Sequence, residues 1–270
     1  MNEPNPTNSN LPAIDMVGVA AGAMRNFSFT VVSDVNWTVR SGEFWVLAGP
    51  QRSGKTDFLM MTGGLMAPKR GSYRFFGNEM PIFDDSRLAE RLKLGFVFDG
   101  GQLFNQMTIA ENVSLPLRYH SNLSREKAQE QIQALLEAVE LAPLAHNTPA
   151  TVGRSFQKRA GLARALTLQP EVLLLDNPLS GLDARHTLWW VGFLRQLSRG
   201  HELLGGKPLT IAATADDLRP WRGSQRRFAC LSNERFLVLG NWSEVERCPE
   251  PAVQDLLHQP PPVIDRQEGI

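Results

Sequence analysis

Long apolar runs are missing from this sequence. Nowhere do about 18 uninterrupted apolar residues occur, the minimum for crossing a bilayer as a helix, so a membrane role is expected to run through a partner. The opening MNEPNPTNSNLP also lacks the basic stretch and apolar segment of a targeting signal. Charge of one sign is missing as well, since 28 Lys+Arg stand against 28 Asp+Glu and the basic residues are scattered among acids. That balance argues against a broad basic surface, and no nucleic-acid partner is expected. Cysteine is scarce, with only Cys230 and Cys248. A chain of 270 residues, 42% of them hydrophobic, buries a core without covalent staples, and two thiols fit a reducing compartment.

What is present reads as one domain between two tails. Residues 1–12 are rich in Asn and Pro, residues 259–270 (QPPPVIDRQEGI) are equally unsuited to packing, and the folded unit is placed at 13–258. Between Ile14 and Trp45 the stretches FSFTVV, NWTV and FWVLAG, separated by Gly, Asn and Asp, predict short strands. TDFLMMTGGLM then reads as a helix and KRGSYRFFG as a turn entering a strand. Ser124 is positioned to cap a helix whose apolar Ala128, Ile132, Leu135 and Val139 share one face. SFQKRAGLARALTL predicts a second helix. EVLLLDNP predicts a buried parallel strand ending in a functional loop, ARHTLWWVGFLRQLS a crossover helix, and PLTIAAT another strand. The aromatic TLWWVGF stretch is read mainly as core, with an interface as the alternative.

The strongest motif is Gly49-Pro50-Gln51-Arg52-Ser53-Gly54-Lys55-Thr56, which fills the pattern G-x-x-x-x-G-K-[ST] between a predicted strand and a predicted helix. Its glycines permit a tight wrap that turns backbone N–H groups toward phosphates. Lys55 adds positive charge, and the Thr56 hydroxyl can ligate Mg²⁺. Asp176, at the end of VLLLD, is the matching carboxylate for the metal's water shell. A nucleotide with Mg²⁺ is therefore the expected ligand.

With these motifs in place, the chain over about residues 14–258 resembles the ATP-binding subunits of ABC transporters, and within them the subunit that powers Mla-type phospholipid transport. GFVFDGGQLFNQMTIAENVSLPLRYH resembles that subgroup's Q-loop region and PEPAVQDLLHQ its C-terminal end. The resemblance implies an α/β P-loop NTPase fold: a RecA-like core, an antiparallel β lobe and an inserted helical lobe at about 104–168. It further implies two subunits sandwiching two ATP molecules, as a homodimer or with another ATP-binding subunit. Its partner would be an integral-membrane permease, placing the chain on the cytoplasmic face of the inner (plasma) membrane.

Carried over residue by residue, the resemblance also exposes departures. Asn177 stands at the position of the catalytic glutamate, and a carboxamide orients water without accepting its proton. Ala215 stands at the switch histidine and Asp99 at the Q-loop glutamine, with Gln102 three residues on. The signature segment corresponds to Val152-Gly153-Arg154-Ser155-Phe156, where Arg154 would crowd the close backbone approach. Arg154 then reads either as a substitute phosphate clamp or as a surface or acid-paired residue. Ser180-Gly181-Leu182-Asp183 keeps the D-loop text, and Phe27 or Phe29 is the candidate adenine platform, each more often a core residue.

Losses at the base and at the signature fall in one chain, so pairing with an intact subunit would weaken both composite sites. The reading is an ATP-binding subunit with slow or absent hydrolysis. Its rivals are an active ATPase with Asp99 or Asp216 near the attacking water, and a soluble P-loop scaffold without a permease.

Overall fold

The structure is a computed structural model that describes residues 11–80, 85–121, 123–223 and 225–258. The segments expected as tails fall mostly outside these residues. The chain opens with strands β1 (Ile14–Ala23), β2 (Asn26–Val39) and β3 (Phe44–Ala48), followed by helix α1 (Lys55–Thr62). Next come β4 (Arg70–Phe75), β5 (Asn78–Glu79), the short α2 (Leu88–Arg91) and β6 (Leu94–Val97). Three helices then follow in succession: α3 (Ile109–His120), α4 (Arg125–Ala138) and α5 (Arg154–Leu166). The remainder runs β7 (Val172–Leu175), α6 (Ala184–Arg199), β8 (Thr210–Ala215), β9 (Arg227–Ser232), β10 (Arg235–Gly240), α7 (Trp242–Arg247) and α8 (Pro251–His258).

The described strands form one sheet in the order β5-β4-β1-β2-β10-β9-β3-β8-β7-β6. Its two halves differ. β6, β7, β8, β3 and β9 pair in parallel, whereas β1, β2, β4 and β5 form an antiparallel lobe. The lobe joins through a single parallel pairing, Arg235 with Ser33. FSFTVV and NWTV, expected as separate strands, are one 14-residue strand, β2. Asp34, at φ 55, accommodates the irregularity inside it, as a short polar side chain can. The β9–β10 hairpin turns on Asn233 and Glu234, both at positive φ, as a two-residue hairpin turn requires.

Why the central strands are apolar throughout follows from the pleat. In β3, Phe44, Val46 and Ala48 enter the core shared with α3, α5 and α6, while Trp45 and Leu47 enter the core built on α1. In β7, Leu173 and Leu175 face the first core and Val172 and Leu174 the second. Both faces being covered, every residue of β3 and β7 is buried.

Ser124 caps α4 by accepting from the Lys127 amide at 3.4 Å, and Ile132, Leu135 and Val139 are buried beneath it with Ala128 partly buried. The aromatic stretch on α6 is mostly core: Trp190 is fully buried, Phe193 nearly so, and Trp189 stacks on Phe193 at 5.0 Å. Leu188 alone among these apolar residues is well exposed, at 74%. Cys230 and Cys248 are unpaired thiols. Among the described residues no helix is long and apolar enough to cross a membrane.

Candidate functional site

β3 delivers the chain into the phosphate loop at its C-terminal end. Gly49 is held by its amide donating to the Ala215 carbonyl of the neighbouring β8, at 3.1 Å. A Cβ at Gly49 would stand 2.3 Å from the Leu231 carbonyl oxygen, so the position has no room for a side chain. Gly54 is constrained twice, by φ 87 and by Val31, whose Cβ would lie 2.6 Å from an added methyl. Pro50, Gln51, Arg52 and Ser53 complete the turn, with Arg52 at φ 63 and the Ser53 amide donating to the Pro50 carbonyl at 3.2 Å.

Gly54 is the N-cap of α1 and supplies no side-chain acceptor, so the first-turn amides of the helix are left for an anion. Lys55 is folded back into the loop, its Nζ donating to the Gly49 and Pro50 carbonyls at 2.7 Å each. Burial lowers its pKa against the opposing pull of Asp216 and Asp176. A bound phosphate would replace those carbonyls as the partner of the ammonium.

Thr56, in the first turn of α1, meets Asp176, which follows β7. The Thr56 hydroxyl donates to both carboxylate oxygens at 3.0 Å, and Thr214 on β8 donates to one of them at 3.0 Å. Burial raises the pKa of Asp176 while these hydroxyls act to lower it. A hydroxyl beside a carboxylate is an oxygen set suited to Mg²⁺, to be completed by phosphate and water. The pocket around them has a volume of about 490 Å³. Its wall includes Phe29, which is 59% exposed; Phe27 is also exposed but does not line the pocket. Both aromatics are therefore on the surface of β2, contrary to a core role.

Asn177 follows Asp176 in a left-handed conformation at φ 44, which asparagine tolerates better than most residues. Its amide donates to the Thr214 hydroxyl at 2.8 Å, and its carboxamide donates to Asp216 at 3.3 Å. Asp216 lines the same pocket, immediately after the buried Ala215. Sequence points to Asp216 alone, and nothing local links it to Thr214 and Lys158, which also bond Asn177. Only the fold brings them to one place.

Asp99 is turned elsewhere. Its carboxylate receives Lys158 at 2.9 Å and Arg154 at 3.2 Å, and it does not line the phosphate pocket. Arg154 is thus acid-paired in this chain. Val152 is buried, Gly153 is the N-cap of α5, and Ser155 and Phe156 follow Arg154 in its first turn. Lys158, 1% exposed, also donates to the Asn177 and Ser180 carbonyls at 2.9 Å. One buried ammonium therefore ties α5 to the loop after β7. Gly181 takes φ 69, Leu182 is partly buried, and Asp183 caps α6 by accepting from the His186 amide at 2.8 Å. Gln102 stands at φ 44 with its carbonyl held by Arg164 at 2.9 Å.

Residues 32–180 match the ABC transporter family model. The intermembrane phospholipid transport system ATP-binding protein MlaF of Escherichia coli K12 is 28% identical over 240 residues, covering 87% of each chain. The sulfate/thiosulfate import ATP-binding protein CysA of Escherichia coli K12 is 38% identical over 184 residues, covering 66% of this chain and 48% of CysA. Among solved structures, a dimeric post-hydrolysis state of the ATP-binding cassette MJ0796 bound to ADP and Pi superposes with a TM-score of 0.72 at 27% identity. The match covers 85% of this chain and all of that one. The fold of cbiO1 from Clostridium perfringens is also alike, with a TM-score of 0.73 at 19% identity over 88% of this chain and 92% of that one. With the family model spanning more than half of its length and the expected α/β architecture around the phosphate loop, the chain belongs to the ABC transporter family as an ATP-binding subunit.

Proposed function

We propose that this chain is the ATP-binding subunit of an Mla-like, lipid-type transporter, binds ATP and Mg²⁺ with slow or absent hydrolysis, and serves its permease as a conformational or assembly element. The observation that carries the reading is the pairing of an intact phosphate and metal wall with Asn177 and Ala215 beside it. Lys55, the α1 amides, Thr56 and Asp176 hold and orient the triphosphate and its metal. The metal, when bound, neutralises phosphate charge. Asn177 can orient a water but has no basicity to take its proton, and loss of a positioned base costs typically about 10²- to 10⁴-fold. In this reading Phe29 stacks on the adenine, and Val152 to Phe156 with Ser180 to Asp183 face a second ATP-binding subunit. Residues 13–258 act as one nucleotide-binding unit, with the helical lobe at about 104–168.

Support for the lipid assignment comes from the near full-length alignment with MlaF, against partial coverage of CysA. Family membership supports, as part of this proposal, a permease partner at the inner (plasma) membrane. A cavity of about 480 Å³ between the end of α1, β4 and β6, lined by Leu65, Phe75, Met80, Leu94 and Phe96, suits an apolar helix of such a partner.

The test is ATP turnover by the complex co-purified with its permease, in wild type, K55A and N177E. Low wild-type turnover that rises in N177E supports the reading. Wild-type turnover at an ordinary transporter rate, abolished by K55A, overturns its impaired-hydrolysis part. A second reading is favoured by one contact: Asn177 donates to Asp216 inside the pocket, which puts the Asp216 carboxylate beside the position where a water would be oriented. Asp99, held by Lys158 and Arg154, is less suited to that role. In that case D216N, rather than N177E, changes the rate.

A further inference from the structure

The N-terminal ends of the parallel strands carry a second concentration of positive charge, far from the phosphate loop. Phe44 begins β3 and Gly49 follows its end, so the two sites are separated by the length of that strand, about 17 Å at about 3.3 Å per residue. Here a cavity of about 140 Å³ opens between the last turns of α6, the segment leading into β9, and Phe44. Four arginines line it: Arg195 and Arg199 from α6, Arg222 and Arg226 from the segment before β9.

Arg226 is the floor of this cavity. It is 7% exposed, with its guanidinium over the Phe44 ring at 5.1 Å and one terminal nitrogen donating to the Trp221 carbonyl at 3.0 Å and the Arg222 carbonyl at 3.1 Å. Its Nε is buried without any hydrogen-bond partner. Gly223 permits this placement, because a Cβ there would lie 2.7 Å from an Arg226 terminal nitrogen. Burial and the charge of Arg195 push the Arg226 pKa down to about 10. Arg199 is oriented by Gln225, which accepts from its Nε at 2.8 Å.

Counter-charge is scarce. Among the described residues the one carboxylate paired with any of the four is Glu246, 3.5 Å from Arg222, and no acid lines the cavity. The C-terminal end of α6 favours cations, which accounts for Arg199 as its last residue. It does not account for Arg222 and Arg226, which come from another segment and line the same cavity. Like charges gathered around a partly desolvated space are unfavourable unless an anion offsets them.

We propose that this four-arginine cavity is a second anion site, separate from the nucleotide pocket, that binds a phosphate or diphosphate group. Guanidinium forks match the several acceptor oxygens of a phosphate and form charge-assisted, bidentate hydrogen bonds with it. With 140 Å³ against about 490 Å³ at the phosphate loop, the cavity takes the phosphate portion of a ligand and excludes a whole nucleotide. Arg195, Arg199 and Arg222 are exposed, so the phosphate can arrive free in solution or on a lipid headgroup.

The test is calorimetric titration of the full chain with inorganic phosphate and with pyrophosphate, in wild type, K55A and the exposed double variant R195Q/R199Q. Co-sedimentation with phosphatidylcholine vesicles, with and without phosphatidic acid, forms the second arm. Matching thermal melts of R195Q/R199Q and wild type serve as the folding control, and the single variants R195Q and R199Q replace the double if it melts early. Binding that persists in K55A and weakens about tenfold or more in the arginine variants supports the site, since each lost charge-assisted bond is worth about that factor. Loss of the soluble anions assigns a free phosphate, and loss of the phosphatidic acid vesicles assigns a headgroup. Binding that disappears in K55A and survives in R195Q/R199Q overturns the proposal by returning the anion to the phosphate loop. The absence of arginine-dependent binding in both arms overturns it outright.

Discussion

On one wall of the nucleotide pocket, Lys55 is bonded to the loop carbonyls and the Thr56 hydroxyl to Asp176, a set of groups suited to phosphate and metal. Beside it Asn177, just after β7, donates to Asp216, while Arg154 at the start of α5 is paired with Asp99. The difference teaches that binding and turnover are separable demands on one fold. The first needs an electrostatic cradle, which backbone amides and one lysine supply. The second needs a positioned base and close approach of a second subunit, and the function proposed for this chain has both altered.

The largest effect expected from breaking this contrast is on turnover. N177E should raise the ATPase rate of the complex by up to about 10²- to 10⁴-fold if the missing base is the main lesion. A single-turnover assay with wild type alongside gives the answer, and an unchanged rate would point to Asp216 or to the signature. Next in size, K55A should weaken ATP binding by at least about tenfold, the cost of losing one charge-assisted contact to phosphate, read by fluorescent-nucleotide titration.

A third expectation separates the empty pocket from the loaded one. The Asp176 carboxyl has its pKa raised by burial, so the folded state holds its proton to higher pH than the unfolded chain does. Its contribution to stability is therefore present below the unfolded pKa and is lost as pH rises through the folded value. D176N should melt higher than wild type without ligand above that window, yet lose the additional stabilisation given by ATP with Mg²⁺. Melting curves across pH with and without the ligand pair check both halves, and a fall in the melting temperature of ligand-free D176N would contradict the first.

Smaller again, G54A should cost about 1–3 kcal/mol through its left-handed backbone and the encounter with Val31, measured by denaturant unfolding. The smallest effect belongs to R154G. The Arg154 side chain is 59% exposed, so removing its pair with Asp99 should change stability by about 1 kcal/mol or less. A larger loss would mean that the pair, together with Lys158, holds α5 against the loop after β7.

Much of this molecule is legible from local patterns. The phosphate loop is eight consecutive residues, and its glycines announce a backbone that few other residues can adopt. The all-apolar VLLL reads as a parallel strand because both faces of β7 are covered. Ser124 reads as a cap because the group it binds is three residues away. By contrast, FSFTVV and NWTV read as two strands, since nothing local reveals that Asp34 can absorb the irregularity within one. Phe27 and Phe29 look like core by residue type, but they lie where β2 projects beyond its apolar support and both are exposed. Local pattern likewise leaves Arg154 undecided, because its partner Asp99 lies 55 residues earlier.

By itself the sequence determined the family, the order of strands and helices around the loop, and which reactive groups the chain possesses or lacks. These are properties of side-chain identity and of contacts between near neighbours in the chain. Only the tertiary structure decided that Asn177 meets Asp216, that Lys158 joins α5 to the loop after β7, and that four arginines from two segments share a cavity away from the phosphate loop. Each depends on where distant segments are brought together and how much water they exclude, and desolvation then sets whether a charge is paired, shifted or left seeking a counter-ion.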